Sequence, residues 1–287
     1  MKAFYHSADL DGHCSGALVK LNYEKCEMIG INYGDPFPWE SLVYSEEIYM
    51  VDFCLQPFSE MIELSSVSDL VWIDHHKTAI ENYEKYINED RRPIRGLRRD
   101  GIGACQLVWE YLTKNSLVGR EPKVPTFVKL LAEYDVWNHS DPRALPFQYG
   151  MRHQKDTSPE KIELWSSLFD TERVQQITEV GGIILEYQDS QNAKYVKSCA
   201  FETELDGLKL IAINLMLTNS KIFDSVWNQE KYDGMLTFGW RKGRWTVSLY
   251  TDKPGVDMSV IAKNRGGGGH VGAAGFQCDE LPFNLNP

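Results

Sequence analysis

Short apolar runs alternate with longer mixed stretches along this chain, and three of the runs end in the same way. Residues 2–5, 48–51 and 70–73 each read as a short buried strand. Each is followed by acidic or imidazole side chains: His6 with Asp9 and Asp11, then Asp52, then Asp74-His75-His76. An apolar run that ends in charge is what a parallel strand covered on both faces looks like where it surfaces at its carboxyl end. Open α/β sheets hold their ligands along that edge. Helical spacing fills the intervals, from about Gly12 to Tyr23, from Phe58 to Leu64 after Pro57, from Ala104 to about Lys114, and from Pro125 to Trp137. The pattern predicts a doubly wound, mainly parallel α/β sheet with its site along one edge.

Further on, Ile162, Leu164, Trp165, Leu168, Val174, Ile177, Ile184 and Leu185 recur at helical intervals over residues 158–197. The character then changes. Residues 208–215, 234–240 and 245–250 read as strands, the last two joined as a hairpin at Arg241-Lys242-Gly243-Arg244. A second, smaller α+β domain is expected over residues 196–287, after a first domain over 1–195 that includes the connecting helix.

Composition narrows the class. The 287 residues are 43% hydrophobic and 25% charged, as in a soluble globular protein with ample core. No apolar run approaches ~18 residues and no secretory leader is read, so the expectation is a cytoplasmic protein with no membrane partner. Cys14, Cys26, Cys54, Cys105, Cys199 and Cys278 form no Cys-x-x-Cys pair, which suits reduced, mostly buried thiols. A net charge of −11 disfavours a stable complex with long nucleic acid, which needs basic surface. A small anionic substrate stays open if a metal or local basic patch supplies positive charge.

Several stretches carry candidate chemistry, each with a plainer alternative. His6, Asp9 and Asp11 lie within six residues in a strand-to-helix loop, which suits metal coordination or, equally, an acidic helix N-terminus. His13 reads as an exposed helix residue. The paired His75 and His76 suit one metal ligand and one substrate-facing group, or a surface pair after a strand. Asp135, near Trp137 and His139, reads as an ordinary helix C-terminal turn or, because that end of a helix disfavours an acid, as a place where a compensating charge is expected, which a metal would serve. Five arginines among residues 91–99 read as a solvated loop or a phosphate-facing patch. The glycine run from Gly266 to Gly269, with Arg265 before it and His270 after it, reads as a backbone-amide oxyanion site in preference to a linker, because small apolar residues through Phe276 follow it.

Taken together, the motifs resemble those of the DHH phosphoesterases, in the group whose second domain is termed DHHA1, which includes RecJ-like nucleases and oligoribonucleases of the NrnB type. The matching stretches are His6-Ser7-Ala8-Asp9-Leu10-Asp11-Gly12, Asp52, Asp74-His75-His76, Asp135, and Gly267-Gly268-Gly269-His270 through Gly275-Phe276. His6 stands three residues before Asp9, where several members have four.

The resemblance implies a DHH catalytic domain, a DHHA1 substrate-binding domain and an active site in the cleft between them. It implies two divalent cations, Mn2+ with Mg2+ or Co2+ as alternatives, with His6 and Asp9 on one, Asp11, His75 and Asp135 on the other, and Asp52 bridging. His76 would face the phosphate, Asp74 would orient the histidines, and Arg265, Gly267, Gly268, Gly269 and His270 would hold the substrate. Four carboxylates against two divalent cations sum to zero, which leaves room for a phosphodiester. The expected activity is hydrolysis of short oligonucleotides to mononucleotides by a water that the two metals activate. A cyclic or 3′-phosphoadenosine nucleotide is the alternative substrate, and a non-catalytic nucleotide-binding protein is the alternative class. Expected partners are a short oligonucleotide or small nucleotide, with a homodimer as the candidate assembly.

Overall fold

The computed structural model describes residues 1–88, 92–114, 123–138 and 140–285. Arg91 and His139 lie outside the described residues. The chain divides into two compact units, Met1–Leu185 and Glu186–Pro287.

The first unit is built on four parallel strands, β1 (Lys2–His6), β2 (Glu27–Ile31), β3 (Glu47–Val51) and β4 (Asp69–Ile73), in the order β2-β1-β3-β4. Helix α1 (Leu10–Asn22) follows β1, α2 (Ser59–Val67) precedes β4, and α3 (Lys77–Ile87) follows it. Next come α4 (Ala104–Lys114), α5 (Thr126–Asp135), α6 (Ala144–Arg152), α7 (Ile162–Ser167) and α8 (Thr171–Cys199). The period-2 geometry of a strand sends alternate side chains to opposite faces. Ala3, Tyr5, Tyr49, Val51, Val71 and Ile73 meet α1, α4, α5 and the helices that follow. Phe4, Ile48, Met50, Leu70 and Trp72 meet α2 and α3 through Met61, Leu64 and Ala79. Both faces are therefore covered, which is why the strands read as unbroken apolar runs.

The second unit holds β5 (Phe201–Leu205), β6 (Leu208–Asn214), β7 (Gly234–Arg241), β8 (Arg244–Tyr250), α9 (Met258–Lys263), β9 (Gly268–His270) and β10 (Ala273–Cys278). Its sheet has the order β5-β6-β7-β8-β10-β9 and is antiparallel except for the pair β6 and β7. Lys242 and Gly243 join β7 to β8 with φ of 51° and 84°. Two successive left-handed residues make the turn whose twist matches a two-residue hairpin. Helix α9 covers one face through Met258, Ile261 and Ala262. On the other face Ile211, Ile213 and Met235 pack with Val196, Ile222 and Phe223.

Two expectations change. His13 is half-buried, not exposed: its Nδ1 lies 2.8 Å from Thr157 Oγ1 and its Nε2 lies 3.2 Å from the Ser7 carbonyl. The arginine run is drawn into the fold. Residues 95–99 lie parallel to β4, with Trp72 N–H donating to the Arg95 carbonyl (2.9 Å), Asp74 N–H to the Leu97 carbonyl (3.1 Å) and Arg99 N–H to the Asp74 carbonyl (3.3 Å). Arg98 lies over the rings of Tyr83 and Trp72, at 4.2 and 5.0 Å, and donates to the carbonyls of Trp72 and Ile94. Arg95 pairs with Asp69 at 2.8 Å and Arg99 with Glu110 at 2.7 Å. Four of the six cysteines are buried and Cys278 is half-buried, leaving Cys199 exposed. Among the described residues no helix is long and apolar enough to cross a membrane.

The 95–99 segment depends on Gly96, whose φ of +123° suits glycine and where a Cβ would come within 1.9 Å of the Trp72 carbonyl oxygen. Gly96→Ala is expected to lower stability by about 2 kcal/mol or more. Gly34→Ala, at φ +94° in open space, should cost about 1 kcal/mol. Urea unfolding of the two variants measures both; equal losses would mean that the contact with β4 carries no weight.

Candidate metal centre

Three strands deliver the site to one edge of the first sheet. β1 ends in His6, and the chain then turns into α1, where Asp9 caps the helix by accepting from Gly12 N–H at 2.9 Å. Such a cap is worth about 1 kcal/mol. Asp9 thus serves as helix cap and as neighbour of His6, whose Nδ1 lies 2.8 Å from its carboxylate. Asp11, in the first turn of α1, is buried, and its two oxygens accept from the Ala104 and Cys105 amides at 2.6 and 2.9 Å. Those amides open α4, so the acid sits against the positive end of a helix dipole. β3 ends in Asp52, buried and held at φ 56°.

β4 ends in Asp74, whose Oδ1 accepts from the backbone N–H of His75 (2.8 Å) and of His76 (3.2 Å) and lies 2.7 Å from His76 Nδ1. Asp74 therefore fixes the turn and the ring of His76, while its bond to His75 is through backbone alone. The His75 ring turns inward, with Nε2 3.3 Å from Asp52, 3.2 Å from Asp135 and 3.9 Å from Asp11. This imidazole supplies part of the compensating charge expected at Asp135, the last residue of α5.

These side chains form three overlapping groups: His6 with Asp9 and Asp52, Asp11 with His75 and Asp135, and Asp52 with His75 and His76. Within each, one ligand atom per residue lies within 4.8 Å of the others. All six residues expected to hold metal are thus brought together, with Asp52 in reach of both sets.

The electrostatics favour cations. Burial, then the carboxylates of Asp11 and Asp9, raise the Asp52 carboxyl well above its ordinary range. Burial and the carboxylates of Asp11 and Asp52 do the same to Asp135. Burial opposes a charge on His6, but the carboxylates of Asp52 and Asp9 outweigh it and push the imidazole up to about 10. In the same way acids outweigh burial and raise His75 and His76. Asp52 Oδ1 and His6 Nδ1 are buried without a hydrogen bond of proper geometry. Oxygen and imidazole donors around a buried negative centre, with two of them unsatisfied, fit metal cations. Cations here would play the part that protons play on the metal-free carboxylates.

The substrate-binding candidates lie in the second unit. Arg265 forms a two-pronged pair with Asp206 at 2.7 and 2.8 Å and lies 5.4 Å from the centre of the Phe276 ring. Gly266 and Gly267 donate their amides to the carbonyls of Lys263 and Ala262, closing α9. Those two amides are therefore occupied within the turn. Gly268, Gly269 and His270 form β9 against β10. A Cβ at Gly267 would stand 2.1 Å from the Gly275 carbonyl oxygen, which explains that glycine by close backbone approach. A cavity of about 510 Å³ opens beside this turn, with Arg244, Thr246, Arg265, Gly267 and Gln277 among its lining residues.

One aromatic at the metal edge was not picked out from the sequence. Tyr33, two residues past β2, packs on Phe53 with ring centres 4.5 Å apart, and the His6 and His76 rings lie edge-on to it at 5.8 and 6.2 Å. Its only signal is position just beyond a strand that the sequence reading did not separate.

Metal-free protein should lose stability as pH rises. Asp52, Asp135, His6, His75 and His76 all have folded-state pKa values above their unfolded ones, so each contributes stability that is full below the unfolded pKa and lost as pH climbs through the folded one. For His6 that window runs from 6.5 to about 10. Thermal unfolding in EDTA and in Mn2+ should show a metal-induced rise in Tm that is larger at the alkaline end of this window than at pH 6.5. A rise independent of pH would separate cation binding from these groups.

No family model matches this chain. It is 27% identical over 246 residues to Uncharacterized protein R106 of Acanthamoeba polyphaga mimivirus, a match that covers 82% of this chain and 53% of the relative. The chain thus spans about half the length of that curated relative. Among solved structures it is similar to the pGpG-specific phosphodiesterase PggH of Vibrio cholerae, with a TM-score of 0.56, 13% identity, and coverage of 96% of this chain and 92% of that one. It is also similar to an exopolyphosphatase-related protein of Bacteroides fragilis, with a TM-score of 0.53, 12% identity, and coverage of 98% and 87%. With these two proteins the chain shares its fold; in this chain the fold brings acids and histidines that could hold metal ions to the carboxyl edge of a parallel sheet.

Proposed function

We propose that this chain is a metal-dependent phosphodiesterase that hydrolyses short oligonucleotides to mononucleotides, with Mn2+ as its natural cation. The observation that carries the reading is the pair of ligand sets that meet at Asp52, beside a histidine fixed by a buried acid. Divalent cations bound there supply Lewis acidity at a phosphoryl oxygen and acidify water.

The chain's own residues supply the rest. Asp52 and Asp135, driven toward protonation when metal-free, give up their protons on cation uptake. His76 accepts orientation from Asp74 at Nδ1, which leaves Nε2 as the ring atom able to donate to a phosphoryl oxygen as negative charge grows on it. The bond broken is that between phosphorus and the leaving nucleoside oxygen, opposite the entering water. The DHH-type assignment, the NrnB-like substrate class and the substrate role of Arg265 and the glycine turn belong to this reading, supported by the motif pattern. Cleavage of pGpG, the activity in the name of the Vibrio protein, is of the same chemical class.

Turnover of a 5′-phosphorylated dinucleotide, a longer oligonucleotide, a cyclic nucleotide, a 3′-phosphoadenosine nucleotide and pyrophosphate, with Mn2+ and with EDTA, tests the reading. The dinucleotide is expected to be the best substrate and EDTA to abolish turnover. His76→Ala should lower kcat by about 10²- to 10³-fold with metal still bound, and Asp52→Asn should lose metal as well. Preference for another member of the panel would reassign the substrate, and full activity in EDTA would overturn the metal-dependent reading.

A further inference from the structure

The hairpin that joins β7 to β8 reads Trp240-Arg241-Lys242-Gly243-Arg244-Trp245, three cations between two tryptophans in a chain of net charge −11. Trp240 lies directly opposite Trp245, and Arg241 directly opposite Arg244. Alternate positions of a strand share a face, so Trp240 continues the row of Leu236 and Phe238. Those two are buried in the core with the apolar residues of α9, whereas Trp240 is 56% exposed. The apolar face thus runs on past its cover and ends in water.

Stability explains part of this arrangement. The two indoles meet at 5.3 Å and 73°, and Trp245 lies 5.9 Å from Phe238. A cross-strand aromatic pair of this kind helps to hold a hairpin together. The cations work the other way, because like charges directly opposite one another destabilise paired strands. Asp279 answers Arg244 at 3.1 Å, with both side chains at least half exposed. Arg241 and Lys242 have no ion pair or side-chain hydrogen bond among the described residues. A T-shaped contact covers at most one face of one ring, so π surface stays open beside these cations.

We propose that this hairpin is a docking point for single-stranded nucleic acid, with bases stacked on the tryptophans and phosphates paired to Arg241, Lys242 and Arg244. Open aromatic surface and cations side by side are the two chemistries that grip a single strand whatever its sequence. The tip supplies locally the positive charge that the chain as a whole lacks. An anionic bilayer fits less well. Lys242 and Gly243 form the turn and the rings stand behind them, whereas an inserting element leads with its rings and keeps its cations at the headgroups. All these residues belong to the second unit, and the inference does not rest on the hydrolysis proposed above.

Fluorescence anisotropy of the full chain in EDTA, with the strands recovered intact, measures the affinity for a short single-stranded oligonucleotide and for the same sugar-phosphate strand without bases. Trp240→Ala should weaken the first about tenfold, the size of one lost stack, and leave the second unchanged. Trp240→Phe should recover most of the loss. The wild-type affinity should fall with salt at a double-logarithmic slope of about −2, since three neutralised phosphates contribute roughly 0.7 each on a single strand. Arg241→Gln with Lys242→Gln should cut that slope to about −0.7. No binding by the wild-type chain, affinities that neither variant moves, or equal loss on both strands in Trp240→Ala overturns the proposal. Vesicles of phosphatidylserine and phosphatidylcholine are the control: tighter binding to them than to the oligonucleotide, lost in the same variants, overturns it in favour of a membrane surface. Hydrolysis is decided separately, because turnover does not enter these affinities.

Discussion

Repulsion among clustered carboxylates, two of them buried, is the constraint around which the first unit is arranged. Asp9, Asp11, Asp52 and Asp135 converge on two histidines, and like charges about 4 Å apart repel by roughly 4 kcal/mol at an effective dielectric constant near 20. The chain meets this locally where it can. Asp11 is given the first amides of α4, Asp9 the Gly12 amide of its own helix, and Asp135 the imidazole of His75. Asp52 is left to the imidazoles of His75 at 3.3 Å and His6 at 3.6 Å, and it belongs to one group with His6 and Asp9 and to another with His75 and His76. Without cations the repulsion is relieved by protons on Asp52 and Asp135, at groups of residues that could hold metal ions in their place.

Much of this was legible in the sequence because a parallel strand buried on both faces announces its own end. Residues 48–51 and 70–73 carry no polar side chain that competes with Asp52 or Asp74 for the role of first charged residue, and the strand edge is where those acids lie. Three pieces of the fold were less visible. β2 is an edge strand with Glu27 exposed and Gly30 next to its end, so neither alternation nor a continuous run marks it. α3 buries Ala79 alone, so its apolar stripe is thin. α6 forms around Pro146 and Gly150, both poor helix formers, and is held by the burial of Phe147 and Met151.

At the site, the acids and histidines that cluster could be named from the chain, but how their neighbours are used could not. Arg98 is fixed by Tyr83 and Trp72, residues 15 and 26 positions earlier. A cluster of arginines in sequence says nothing about which carbonyls and rings await it. Asp74 was expected to orient both histidines, and the geometry gives its side-chain contact to the ring of one. The glycine run reads from sequence as a set of available amides, whereas two of them close the preceding helix. In each case the residue type was informative and the partner, set by tertiary packing, was not.

The residues that could hold metal run from 6 to 135, on or beside β1, α1, β3, β4 and α5. During synthesis the first acids leave the ribosome long before Asp135, and the group of Asp11, His75 and Asp135 cannot close until α5 is in place. A cation held there would be captured at the end of folding of this unit, whereas His6, Asp9 and Asp52 can meet once β1 and β3 have paired. Occupancy of the later group would in that sense report that the sheet edge and α5 have both been finished.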